Sequence, residues 1–240
     1  MDQQITKEAL NQIEENGEQN RFTSVVFQET WHKGVIGIVA SRLIETYYRP
    51  TLVFTKSGDK YAASARSVKG FDVYNALEAC AEHLEQFGGH MYAAGMTLKP
   101  ENYTAFKEAF ERVVQETIAP EWLEPEISID AIVNFDEITP KFTRILKQFE
   151  PCGPQNMTPV FVSKNVVDTG YGKPMGKEEE HLKLFVRQNN SEGIPAIGFG
   201  LGKKYEIVKN KQLFEAAYCI DENEWNDKIE LQLRLKDIRN

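Results

Sequence analysis

Cysteine, histidine and positive charge are all scarce in this chain of 240 residues. Cys80, Cys152 and Cys219 lie far apart, too few for a disulfide framework and without the CxxC spacing of a zinc site. None of the four histidines, His32, His83, His90 and His181, has a second His or Cys at ligand spacing, so no structural zinc is expected. There is no G-x-S-x-G elbow, no P-loop and no H-E-x-x-H motif, so no self-contained hydrolytic or metal centre is apparent. No apolar run approaches the roughly 18 residues that read as a membrane span. The opening MDQQITKEALNQIEENGEQN is acidic and amphipathic, the reverse of a secretory signal. These absences point to a cytoplasmic protein in a reducing compartment, with no membrane partner. A net charge of −8 also argues against a surface coated with cations for nucleic acid. Any such partner must enter a local groove.

The distribution of charge says more than its total. Residues 1–20 are net −4, residues 21–75 net +4, residues 76–126 net −7, and the rest net −1. The positive segment is either a solvated cluster or a surface that faces an anion.

The first half alternates between strand and helix patterns. FTSVVF (22–27) is a β-branched run of strand type. In 34–48, Ile36, Val39, Ala40, Leu43 and Tyr47 share one helical face. TLVF (51–54) and KYAASARS (60–67) flank a turn-forming SGD and predict a strand pair. Asp72 is placed to cap a helix through VYNALEACAEHLEQF that stops at Gly88-Gly89, followed by a strand near 93–98 and a helix over about 101–118. The periodicity breaks at APEWLEPE (119–126), and strand patterns take over. PVFVSKNVV, HLKLFVR, IPAIGFG, LFEAAYCI and KIELQLRLKDI are expected as strands, with ISIDAIV (127–133) before them and a helix near 138–149. In the last strand Ile229, Leu231, Leu233 and Leu235 alternate with Lys228, Glu230, Gln232 and Arg234. The expected fold is therefore an α/β domain followed by a mainly-β domain of five-stranded OB type. GYGKPMGKEEE (170–180) reads as a loop at a hairpin tip.

Three stretches could carry chemistry. In FGGHMYAAGM (87–96), Gly88 and Gly89 before His90 would let a ligand approach the backbone, or simply end a helix. In SARS (64–67), Ser64 and Arg66 point to the same side of a strand and could grip one phosphate; a surface arginine on an edge strand explains the pattern too. Trp31, His32 and Lys33 precede a helix whose start carries Gly34 and Gly37, where an anion or a stacked base would fit as well as a tryptophan at a domain seam.

Taken in order, WHKGVIGIVASRL (31–43), SARSVKGFDVYNAL (64–77) and FGGHMYAAGM resemble the DHH-associated domain of the RecJ family, bacterial 5′→3′ single-strand-specific exonucleases of the DHH phosphoesterase superfamily. EPCGPQNMTPVF (150–161) is similar to the segment that introduces that family's OB domain. The resemblance covers about residues 5–238 and implies three parts: the end of a linker helix in 1–20, a substrate-binding DHH-associated domain in 21–122, and an OB-like nucleic-acid-binding domain in 123–240. It implies that Ser64 and Arg66 bind a 5′-terminal phosphate, that Gly88, Gly89 and His90 hold a phosphate near the cleft, and that Trp31, His32 and Lys33 border it. It also implies a partner outside this sequence: a catalytic DHH domain that holds two divalent metal ions, manganese or magnesium, by Asp and His. No histidine here has an Asp neighbour, so no metal cofactor and no catalytic residue are expected within the chain, and single-stranded DNA should bind weakly in isolation. Two other readings remain: a stand-alone single-strand-binding module, with Phe185, Arg187, Tyr171 and Lys173 as its contacts, or part of another DHH-type phosphoesterase.

Overall fold

A computed structural model describes residues 1–153, 155–225 and 228–240, without the side chains of Glu224, Trp225, Lys228 and Ile229. Pro154 of the 150–161 segment, and the alternation read at Lys228 and Ile229, therefore lie outside the described residues. The chain forms two compact units, 1–126 and 127–240.

In the first unit, α1 (Asp2–Glu15) buries Ile5, Ala9 and Ile13, which its helical period places on one side. That stripe packs with Ile36, Val39, Ala40 and Leu43 of α2 (Ile36–Thr46). Between them β1 (Ser24–Phe27) runs parallel to β2 (Thr51–Ser57). β2 turns through Gly58, at φ +68°, into the antiparallel β3 (Lys60–Arg66). The predicted helix after Asp72 is much shorter than its pattern. Asp72 does cap α3 (Val73–Glu78), accepting from the amides of Tyr74 and Asn75 at 2.9 and 3.1 Å. Residues Ala81–His83 then form a 3-10 turn, and Gln86–His90 become β4 rather than the end of the helix. The free edge of β5 (Ala93–Leu98) explains the difference: it pairs residue by residue with β4, and the Glu85 amide donates to the Thr97 carbonyl at 2.9 Å. Two adjacent glycines disfavour a helix by about 1 kcal/mol each but can lie in a strand. α4 (Tyr103–Thr117) closes the unit.

The sheet runs β1-β2-β3-β5-β4. On one face Leu52, Phe54, Ala63, Ala65, Met96 and Leu98 pack with Leu77 of α3 and Phe106 and Phe110 of α4. On the other, Val26 and Val53 of the first two strands are covered by α1 and α2. Beyond them α2 also reaches along β3, while on that second face β5 and β4 carry only exposed or half-buried residues. The connection into β1 is pinned by Arg49, buried at 4% exposure. Its guanidinium donates to Ser24 Oγ (2.8 Å) and to the carbonyls of Gln19 (2.8 Å), Arg21 and Glu18 (3.0 Å).

The second unit is built on β7 (Phe161–Asp168), β9 (His181–Gln188), β10 (Ile194–Gly198), β11 (Phe214–Trp225) and β12 (Lys228–Arg239), with the short β6 (Ala131–Ile132) and β8 (Lys173–Met175) at the edges. α5 (Pro140–Leu146) precedes β7 and α6 (Tyr205–Val208) follows β10. Pairing runs β7-β11-β12-β10-β9, and β9 pairs back onto β7 from Val166↔Gln188 to Asp168↔Val186. Five strands thus return on themselves, with β10 and β12 parallel. This is the barrel-like arrangement expected of an OB domain. Leu182, Leu184 and Val186 alternate inward along β9 and join Phe214, Tyr218 and Leu233 in the core. Two expectations are corrected. The 127–133 strand shrinks to Ala131–Ile132, because pairing with β7 starts only at Ala131↔Phe161. The 170–180 loop contains β8, since Lys173–Met175 pair with the outer edge of β9.

Candidate nucleic-acid interface

Residues opposite each other on antiparallel strands share a face. Ser64 faces Gly95, which faces Gly88; two residues along, Arg66 faces Ala93, which faces His90. The register therefore gathers Ser64, Arg66, Gly88 and His90 on the second face of the sheet. Gly88 and Gly95 leave bare backbone between Ser64 and the outer strand: a Cβ on Gly88 would meet nothing within 4 Å. The result is a groove of about 780 Å³ along Ser64, Gly95 and Gly88, bordered by Lys33 and Ile36 at the start of α2 and by Gln86 and Thr97 farther along the strands. Gly89 has a different role. It sits at φ +153°, where a Cβ would lie 2.3 Å from the Ala93 carbonyl, so it holds β4 against β5 rather than facing the groove.

Two cations near this face, Arg66 and Lys33, have no ion pair among the described residues, and Lys33 is the one that lines the groove. Arg21 and Arg42 pair with Glu108 (2.9 Å) and Asp2 (2.6 Å), and Arg49 is saturated by carbonyls. Arg66 is half-buried and has no ion pair among the described residues; its Nη1 donates to its neighbour's carbonyl, Ala65 O, at 2.9 Å. The remaining guanidinium donors, beside the Ser64 hydroxyl, are free to receive an anion. His90 is exposed, and its Nδ1 accepts the Tyr92 amide at 3.3 Å. In the neutral ring that leaves Nε2 to carry the proton outward.

Of the residues expected to border the cleft, His32 and Lys33 are exposed, and Lys33 lines the groove. Trp31 is corrected. It is 5% exposed in the core between α1 and α2, and its indole N–H donates to Glu8 at 2.8 Å, so no base can stack on it. A tryptophan beside a basic pair reads as a contact residue until its neighbours in space are known. Gln86 and Thr97 carry no sequence signal of a groove; Gly95 lies within FGGHMYAAGM, where only the strand register with Gly88 gives it a place in the site. Among the described residues no group of three His, Cys, Asp or Glu side chains could hold a metal ion.

In the second unit, β9 presents Lys183, Phe185 and Arg187 outward in alternation. Tyr171, 77% exposed, stands edge-on to Phe185 with centroids 6.5 Å apart, and Lys173 lies opposite Lys183. One buried carboxylate organises this patch. Asp168 accepts from the amides of Gly170 (2.8 Å), Gly172 (2.9 Å) and Phe185 (3.1 Å). An exposed aromatic pair among cations, on a loop held this tightly, is suited to stack a base.

Comparison with known proteins decides the family. The DHHA1 domain matches residues 19–116, and the RecJ OB domain matches residues 129–237. This chain belongs to the RecJ family. It is 32% identical over 235 residues to the single-stranded-DNA-specific exonuclease RecJ of Bacillus subtilis, covering 97% of this chain and 30% of that protein. It is 28% identical over 222 residues to RecJ of Escherichia coli, covering 89% of this chain and 37% of that one. The chain thus spans about a third of the length of these curated relatives. The crystal structure of RecJ from Thermus thermophilus in complex with Mn2+ superposes over the whole chain, with a TM-score of 0.78 at 23% identity, and shares its fold over 34% of that protein.

Proposed function

We propose that this chain is the substrate-binding part of a RecJ-like 5′→3′ single-stranded-DNA exonuclease of DNA repair and recombination. The observation that carries the reading is the shared face: Arg66, without an ion pair among the described residues, and His90 lie on the same side of the sheet as Ser64 and Gly88, next to a groove floored by backbone stripped of side chains. Ser64 and Arg66 receive the terminal 5′-phosphate, His90 donates to a phosphate oxygen, and Gly88 lets the sugar–phosphate chain lie on the strand. Lys33 and His32 border the entry. On the barrel, Tyr171 and Phe185 stack a base, while Lys173, Lys183 and Arg187 meet phosphates. Hydrolysis is left to a metal-holding catalytic domain outside this sequence; the Thermus RecJ is reported in complex with Mn2+. In-line displacement of a phosphodiester on two metals needs a ligand set that clamps both oxygens, and this chain offers none among its described residues.

Two measurements test this. Incubated with manganese or magnesium, the purified chain should leave 5′-phosphorylated single-stranded DNA intact; chelator-sensitive release of mononucleotides would refute the assignment. In competition binding, the 5′-phosphorylated strand should outcompete the same strand with a 5′-hydroxyl, with affinity that falls steeply with salt. Tight, salt-indifferent binding that ignores the 5′ end would favour a stand-alone stacking module.

A further inference from the structure

Gly37 stands in the first turn of α2, next to Ile36, which borders the groove, and its bare α-carbon is turned toward β3. A Cβ there would lie 2.9 Å from Arg66 Nη2, 3.6 Å from Arg66 Cζ and 3.5 Å from Ser64 Oγ. Nothing else comes within range of it as closely. The two side chains read above as the phosphate clamp therefore converge on the one place where α2 has no side chain. Helix propensity does not explain the choice, since glycine is a poor residue in an α-helix. Neither does backbone geometry: Gly37 continues directly into a regular helix that buries Ile36, Val39 and Ala40 around it. What a larger residue would do is push on the free end of a flexible side chain, leaving the rigid core untouched.

We propose that Gly37 is a positioning residue for substrate recognition: its missing side chain is the seat in which the Arg66 guanidinium rests beside Ser64, aimed at the terminal phosphate. Van der Waals contact with the helix start fixes one side of the guanidinium plane, and the Ala65 carbonyl fixes Nη1. With its orientation set before the ligand arrives, Arg66 loses little rotamer freedom on binding. A methyl group at position 37 swings the guanidinium away without removing its charge. Gly37 is then a determinant of preference for a phosphorylated end, acting through Arg66 and touching no substrate itself. This rests on the clamp assignment for Arg66, and the experiment separates the two.

Gly37→Ala, Arg66→Ala and the double variant are prepared in the full chain, and each is titrated with a 5′-phosphorylated and a 5′-hydroxyl oligothymidylate at one salt concentration. Gly37→Ala should lose about tenfold of the preference for the phosphorylated end, while its melting temperature holds or rises, because alanine suits a helix better than glycine. The double variant should be no worse than Arg66→Ala alone, since both act on one contact. Gly37→Ser, with a larger group in the seat, should be at least as impaired as Gly37→Ala. If Arg66→Ala keeps the preference, the clamp reading itself falls. If Arg66→Ala loses it while Gly37→Ala and Gly37→Ser keep it, the clamp stands and the positioning role is wrong. A loss that tracks a fall in melting temperature and affects both ligands equally also overturns it.

Discussion

Removing Arg49 tests whether the order of the first unit hangs on one buried cation. Arg49→Ala deletes four hydrogen bonds from a guanidinium at 4% exposure and strands the carbonyls of Gln19 and Arg21 together with the Ser24 hydroxyl, while the Glu18 carbonyl keeps the Arg21 amide at 3.2 Å. A hydrogen bond to a charged group contributes about 1.5–3 kcal/mol, and a buried acceptor left without a donor costs about 1–3 kcal/mol. Water entering the vacated space recovers part of this, and burial already weighs against the charged form of Arg49, lowering its pKa. The net loss should therefore be about 3–5 kcal/mol, a large share of the roughly 5–15 kcal/mol that holds a typical domain. Arg49→Lys keeps the charge but has no planar fork and should recover less than half. Urea unfolding followed by circular dichroism gives the number, with an unchanged m-value as the control for a two-state comparison. A loss below about 1 kcal/mol for Arg49→Ala would mean that those carbonyls are solvated in the folded protein, and the pinning argument would fail.

Three further outcomes are expected. Arg66→Ala should weaken binding of a 5′-phosphorylated strand by about 1.5–3 kcal/mol, and Arg66→Lys should restore little of it, as measured against the 5′-hydroxyl strand. Burial pushes the Cys80 thiol from 9.0 up to about 11. The folded thiol thus holds its proton where the unfolded one releases it, so its contribution is complete below pH 9 and is lost as the pH rises through about 11, by roughly 2–3 kcal/mol. Urea midpoints of wild type and Cys80→Ala across that range would show it, and in thiol labelling the exposed Cys152 should react while buried Cys80 and Cys219 wait for unfolding. On the barrel, Tyr171→Ala should cost single-strand affinity about 1–3 kcal/mol without changing the melting temperature. Lys183→Gln should instead flatten the log–log salt dependence by about 0.7.

How far the sequence was legible depended on whether a pattern was local. The strand read at HLKLFVR and the helical stripe of Ile36, Val39, Ala40 and Leu43 appear in the structure, because one buried face dictates each, while Tyr47 falls just beyond the end of the helix. The helix after Asp72 failed where a long-range partner intervened: the edge of β5 captured Gln86–His90, and no local signal carries a strand pairing. The same pairing made the site better than its motifs suggested, since register alone set Gly88 beside Gly95 and His90 in line with Arg66. Trp31 went the other way, into the core, through a contact with Glu8, 23 positions earlier in the chain. Residue type and spacing suggested the chemistry; pairing in space decided which side chains share a face and which are buried.

The central claim is that the second face of β3, β5 and β4 receives the phosphorylated end of a single strand. Amide chemical-shift mapping of the isotopically labelled chain during titration with 5′-phosphorylated oligothymidylate tests it most directly. The account predicts that the largest shifts fall on Ser64, Arg66, Gly88, His90 and Gly95, with the Arg66 side-chain Nε–H among them, and that those shifts shrink when the 5′ end is a hydroxyl. Shifts confined to the barrel, or a groove that responds equally to both ends, would contradict it.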